Sequence, residues 1–86
     1  MSPSDAPLRL SALNAGDRAR VVRVSGENRD RVERLTALGV TPGSPITVLQ
    51  RFPSVVFLCD YTELAVEPAV ADSILVDLVE RPDVVW

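Results

Sequence analysis

Apolar and polar positions along this chain alternate with a period of two in several short runs and shift to a period near three in one. Ala19-Arg-Val-Val-Arg-Val24 reads as a first strand, with Arg20, Val22 and Val24 on one face and Val21 and Arg23 on the other. Four more strands are predicted at Ile46–Gln50, Val55–Cys59, Glu63–Glu67 and Ser73–Val79. Pro53-Ser54, Asp60-Tyr61-Thr62 and the stretch from Pro68 to Asp72 separate them, a spacing that suits an antiparallel barrel or sandwich. In Glu63-Leu-Ala-Val-Glu67 the alternation is cleanest, placing Leu64 and Val66 inward and Glu63, Ala65 and Glu67 outward. The pattern predicts a mainly β fold, a small β-barrel of about five strands whose closure would remove exposed edges.

The period-three run predicts one short helix between the first and second strands. Val32, Leu35 and Leu38 form a stripe within Arg29–Leu38 that should lie on the core, and Ser25 or Asn28 can cap the start. Arg29 with Glu33, and Asp30 with Arg34, stand four apart and are expected to pair on the outer side, each pair worth only about 0.2 to 0.5 kcal/mol. Gly39 then suits the left-handed residue after a helix, with Val40 packing back on Leu35. Pro42-Gly43 suits a type II turn, because proline sets the first central φ and glycine supplies the positive second one. The chain is delivered directly into the next strand.

Residues 1–7, with Pro3, Pro7 and two serines, read as a flexible leader, residues 8–80 as one domain and residues 81–86 as a C-terminal tail. Leu8, Leu10 and Leu13 are expected across one end of the barrel, ahead of an Asn14–Asp17 turn. A chain of 86 residues supports a single thin core, here mainly aliphatic because only Phe52, Phe57, Tyr61 and Trp86 are aromatic. Trp86 reads either as tucked onto the barrel or as an exposed anchor. No run approaches the roughly 20 apolar residues of a membrane span, and the first residues lack a signal-peptide pattern, so a cytoplasmic protein without direct membrane insertion is expected. A single Cys59 allows no intrachain disulfide and is expected in the core.

The net charge of −3 is unevenly spread: residues 1–51 carry eight arginines against five acids, a balance of +3, and residues 52–86 carry one against seven, a balance of −6. Arg18, Arg20, Arg23, Arg29, Arg31 and Arg34 raise the question of nucleic acid, but the pI near 4.7, the absence of lysine and the lack of interleaved aromatics argue against it. Capture of proline-rich peptides needs an aromatic-lined groove that four scattered aromatics do not supply. With no histidine and one cysteine, neither a His-based triad nor a zinc site has its residues. Four dispersed glycines form no phosphate-binding loop, and the acids read as a solvated face. No catalytic residue, cofactor or metal ligand is identified, which points to an interaction protein rather than an enzyme.

The run Arg34-Leu35-Thr36-Ala37-Leu38-Gly39-Val40-Thr41-Pro42-Gly43 resembles the signature segment of FeoA proteins. Leu10-x-x-Leu13-x-x-Gly16, the Val21–Val24 strand ending at Gly26, and Ala71-x-x-Ile74-x-Val76 follow in the family's order, so that the resemblance covers about residues 8–79. It implies an SH3-like barrel and a role in ferrous iron uptake through binding the cytoplasmic domain of the transporter FeoB. It also implies that Arg34, Leu35, Leu38, Gly39, Pro42 and Gly43 are mainly structural, with partner contact as their second use. The Arg51–Phe57 stretch keeps Pro53 but lacks the glycines of the family's hairpin. The same barrel occurs at the C-terminus of DtxR-type repressors. This gives the alternative of a regulatory module in an iron-dependent transcriptional system, binding a metal or a peptide.

Overall fold

The computed structural model describes residues 6–82. Most of the expected leader, and Trp86, lie outside the described residues. Six strands form one antiparallel sheet: β1 (Leu8–Arg9), β2 (Arg18–Val24), β3 (Pro45–Gln50), β4 (Val55–Cys59), β5 (Thr62–Val66) and β6 (Ile74–Glu80), in the order β1-β6-β2-β3-β4-β5. Helix α1 (Arg29–Ala37) joins β2 to β3, a 3₁₀ turn covers Leu10–Ala12, and a four-residue helix α2 (Pro68–Ala71) joins β5 to β6.

Two expectations about architecture change. The sheet has six strands where five were expected, because Leu8–Arg9 pairs with Leu75 and Val76 of β6 although it is too short to show a period. The sheet is also open. Closure needs a ladder between the first and last strands in the order; β1 lies on β6 and β5 lies on β4, and among the described residues no pairing links β1 to β5. The Pro68–Asp72 stretch, expected as a separator, contains α2, whose proline occupies the first helical turn where its missing N–H costs nothing.

Phe57 is fully buried and is the only aromatic of the described core, which it shares with the fully buried Leu10, Leu13, Ile46, Ile74, Val40, Val48 and Val76. Leu10 and Leu13 are thus anchors, whereas Leu8 is exposed. On β2 the expected grouping of Val24 with Arg20 and Val22 gives way, because a register shift against β6 between Val21 and Arg23 changes the phase of the strand. The shift behaves as a bulge, which puts one extra residue into the strand. Ala19 and Val21 face the core, and Val24 also packs against it. Glu63, Ala65 and Glu67 are exposed while Leu64 and Val66 pack on the core, as the alternation predicts.

The turn before β2 and the residue after β6 are fixed to each other by charge. Asp17 lies in the Asn14–Asp17 turn with its side chain 1% exposed, and Arg81, just past β6, donates to it from Nε at 3.1 and 3.2 Å and from Nη2 at 2.8 Å. The backbone N–H of Asn14 donates to the same carboxylate at 2.8 Å. Arg51 reaches this turn too, donating to Asn14 Oδ1 at 3.1 Å and to the Ser11 carbonyl at 3.4 Å. The Arg51–Phe57 stretch is in this way tied to the Ser11–Asn14 segment.

Candidate functional site

Asn28 takes the N-cap of α1, its Oδ1 accepting from the Arg31 N–H at 3.0 Å, which settles the choice between Ser25 and Asn28. The helix ends in a Schellman motif: the Gly39 N–H donates to the Thr36 carbonyl and the Val40 N–H to the Leu35 carbonyl, both at 3.0 Å. Gly39 has φ +98°, in the region that side chains disfavour, and Val40 and Leu35 are buried beside the core. Thr41–Ser44 follows as a turn closed by the Ser44 N–H on the Thr41 carbonyl at 2.9 Å, with Gly43 at φ +92° as a type II turn requires.

This turn is stitched to its surroundings. Gly43 donates its N–H to the Val21 carbonyl at 2.7 Å and Val21 donates to the Ser44 carbonyl at 2.9 Å, while Arg20 Nη1 donates to the Gly43 carbonyl at 2.9 Å. The Gly39 carbonyl accepts from Ser44 Oγ at 3.0 Å and from the Cys59 thiol at 3.4 Å. Cys59 is buried, and burial pushes its thiol pKa up.

Of the six signature residues, Gly39, Pro42 and Gly43 shape this turn. Arg34, Leu35 and Leu38 come together elsewhere, in a cleft of about 480 Å³ between α1 and the β5–α2 segment. Its far wall is made by Ala65, Val66, Glu67 and Val70, none of which the sequence singled out; strand alternation marked their faces but not their position at the end of the sheet.

The helix does not lie flat on the core as its stripe predicts. Leu35 is its only buried residue and Leu38 is 46% exposed. The Schellman ending makes Val40, beyond the helix, the second anchor, so that Leu38 at the C-cap is released and lines the cleft. The expected pairs of Arg29 with Glu33 and of Asp30 with Arg34 do not form. The ion pairs among the described residues are Arg18–Glu80 at 3.0 Å and Arg81–Asp17 at 2.8 Å. Exposed pairs of this kind gain too little to fix two long side chains. Arg31 and Arg34 both line the cleft, and neither has a carboxylate partner among the described residues.

The cleft offers apolar surface, the cations Arg31 and Arg34, and the acids Asp30 and Glu67. Among the described residues no three of His, Cys, Asp and Glu cluster as metal ligands, and no helix is long and apolar enough to cross a membrane.

An open six-stranded antiparallel sheet with a Schellman-ended helix between its first two long strands defines a small SH3-like domain. The chain belongs to the FeoA domain family, whose model matches residues 8–78. It is similar to the FeoA protein from Chlorobium tepidum at 32% identity and TM-score 0.76, over 88% of this chain and 74% of that one. The zinc-complexed FeoA of Stenotrophomonas maltophilia, described as a prokaryotic SH3 domain protein, shares the fold at 24% identity and TM-score 0.74, over 81% of this chain and 89% of that one. The T. acidophilum IdeR shares it at 24% identity and TM-score 0.80, over 92% of this chain but only 37% of that longer one. No curated protein matches the sequence.

Proposed function

We propose that this protein is a non-enzymatic accessory that binds the cytoplasmic part of a FeoB-like ferrous iron transporter and supports or regulates Fe(II) uptake. The observation that carries the reading is the FeoA family match across residues 8–78, which spans the whole sheet up to Leu78 of β6 and includes the signature turn. The role places the chain at the cytoplasmic face of the membrane, as a docked protein. Arg34 and Leu38 are the exposed signature residues assigned to partner contact, while buried Leu35 anchors the helix and Gly39, Pro42 and Gly43 shape the turn that ends it. The alternative, a regulatory module of an iron-dependent transcriptional system, has the fold likeness to IdeR behind it and no feature specific to this chain.

Calorimetric titration of the chain into the purified cytoplasmic domain of a FeoB-like transporter tests the proposal. Saturable binding at micromolar concentration is the expected result. Absence of heat and of co-elution at several hundred micromolar would sink it.

A further inference from the structure

We propose that the free edge of β5 accepts one extended strand from a protein partner, seated in the cleft beside α1 with an acidic side chain on Arg31 and Arg34. The inference deepens the accessory reading by specifying how the partner is held.

The backbone makes the first part of the case. β5 closes the strand order and pairs with β4 alone among the described residues, so one row of its N–H and C=O groups has no strand opposite it. Beside short strands, charged side chains and a covering helix or loop, bulges and prolines are two of the devices that close such an edge to pairing. β5 has neither: its five residues run in unbroken register from Thr62 opposite Cys59 to Val66 opposite Val55. An occupant that satisfies this row must itself be extended polypeptide, because a helix has spent its own backbone groups.

The cleft meets the C-terminal end of that edge. Ala65 and Val66, the last two residues of β5, line it together with Glu67 just past the strand. Ala65 and Val66 point to opposite faces of the sheet, so a cleft bordered by both reaches around the C-terminal end of the β5 edge. The opposite wall is α1, where half-exposed Leu38 gives an apolar contact for alternate side chains of an added strand.

Charge selects the sequence of that strand. Arg31 and Arg34 stand three apart, on one face of the helix, and have no carboxylate within 4.0 Å among the described residues. Guanidinium groups bind carboxylates in forked geometry and gain most where water is partly excluded. Glu67 across the cleft and Asp30 at the start of the helix both repel an acid, which leaves the stretch of the helix wall at Arg31 and Arg34 as its seat. The occupant is an extended segment that alternates apolar and acidic residues.

The test uses the whole ¹⁵N-labelled chain with three probes: the peptide Ac-EVEVEVE-NH₂, its counterpart Ac-KVKVKVK-NH₂, and the cytoplasmic domain of a FeoB-like transporter. The acidic peptide should shift and protect amides of 62–66 and shift those of α1, with the lysine peptide roughly tenfold weaker. Arg31→Glu combined with Arg34→Glu, both on the outside of the fold, should reverse that preference without moving the melting temperature by more than a few degrees. Equal binding of both peptides, an unreversed preference, or shifts confined to other strands would overturn the strand site. If the transporter domain binds but leaves 62–66 and α1 unperturbed, the strand site fails and the accessory role stands. If the domain fails to bind while the acidic peptide binds as described, the accessory role fails and the strand site stands.

Discussion

Replacing Gly39 tests the link between backbone conformation and the helix that carries the cleft. At φ +98° an L-residue is strained, yet a Cβ built on Gly39 meets no atom within 4 Å. The cost of Gly39→Ala is therefore backbone strain alone, about 1–3 kcal/mol. It is reduced by the 0.4–1 kcal/mol or so that alanine gains by restricting the unfolded chain. A net loss of about 1–2 kcal/mol lowers the melting temperature of a domain this size by roughly 5–15 °C. Chemical synthesis with D-alanine at position 39 supplies the control. The D-residue favours positive φ, fits the same empty space, and keeps the entropic gain, so that it should melt at or above the parent temperature. Calorimetry of the three proteins decides the matter. L- and D-alanine proteins melting within a degree of each other would falsify the strain argument.

Asp17 predicts an acid limb in stability. The hydrogen bonds from Arg81 hold its pKa below the ordinary value, outweighing the opposite push of burial. A depressed folded pKa gives stability that is complete above the unfolded value of about 4 and is lost as pH falls through the lower folded value. Melting temperature measured between pH 7 and pH 2 should fall below about pH 4, and the gap between the parent and Asp17→Asn should narrow there. Asn28→Ala removes the side-chain acceptor for the Arg31 N–H and should cost about 1 kcal/mol in denaturant unfolding, with an unchanged m-value. Cys59, buried and with a raised pKa, should resist a thiol-specific colour reagent at pH 8 in the native state and react fully in guanidinium; prompt native labelling would contradict its place in the core.

The parts of this fold that were legible in the sequence are those fixed by local chemistry. Gly39, Pro42 and Gly43 announce their turns because few residues tolerate those angles, and Leu64 and Val66 announce their face because alternation has one period. Contacts decided over long separations left no such mark. Asp17 and Arg81 are 64 residues apart and look like ordinary surface charges until the sheet brings them together. The bulge at Val22 shows in the register with β6 and not in the run Arg20–Val24 itself. Pro68 did carry a local signal, since proline favours the first turn of a helix, but it sat in a stretch short enough to pass as a loop.

The cleft was the least legible part because it depends on the helix being held at one end. A stripe of Val32, Leu35 and Leu38 is sufficient to lay nine residues flat on a sheet, and the sequence pattern alone gives no reason to expect otherwise. What changes the outcome is the turn that follows. Val40 enters the core immediately after Gly39 reverses the chain, and Ser44 and Gly43 tie that reversal to Val21 of β2. With Leu35 and Val40 anchored so closely, the angle of the helix is set by the Gly39–Gly43 geometry rather than by the length of its apolar stripe. Leu38 and Arg34 are then left facing β5 across open space. Gly39 and Gly43, at φ +98° and +92°, thus act on the cleft through the backbone turn that anchors the end of the helix.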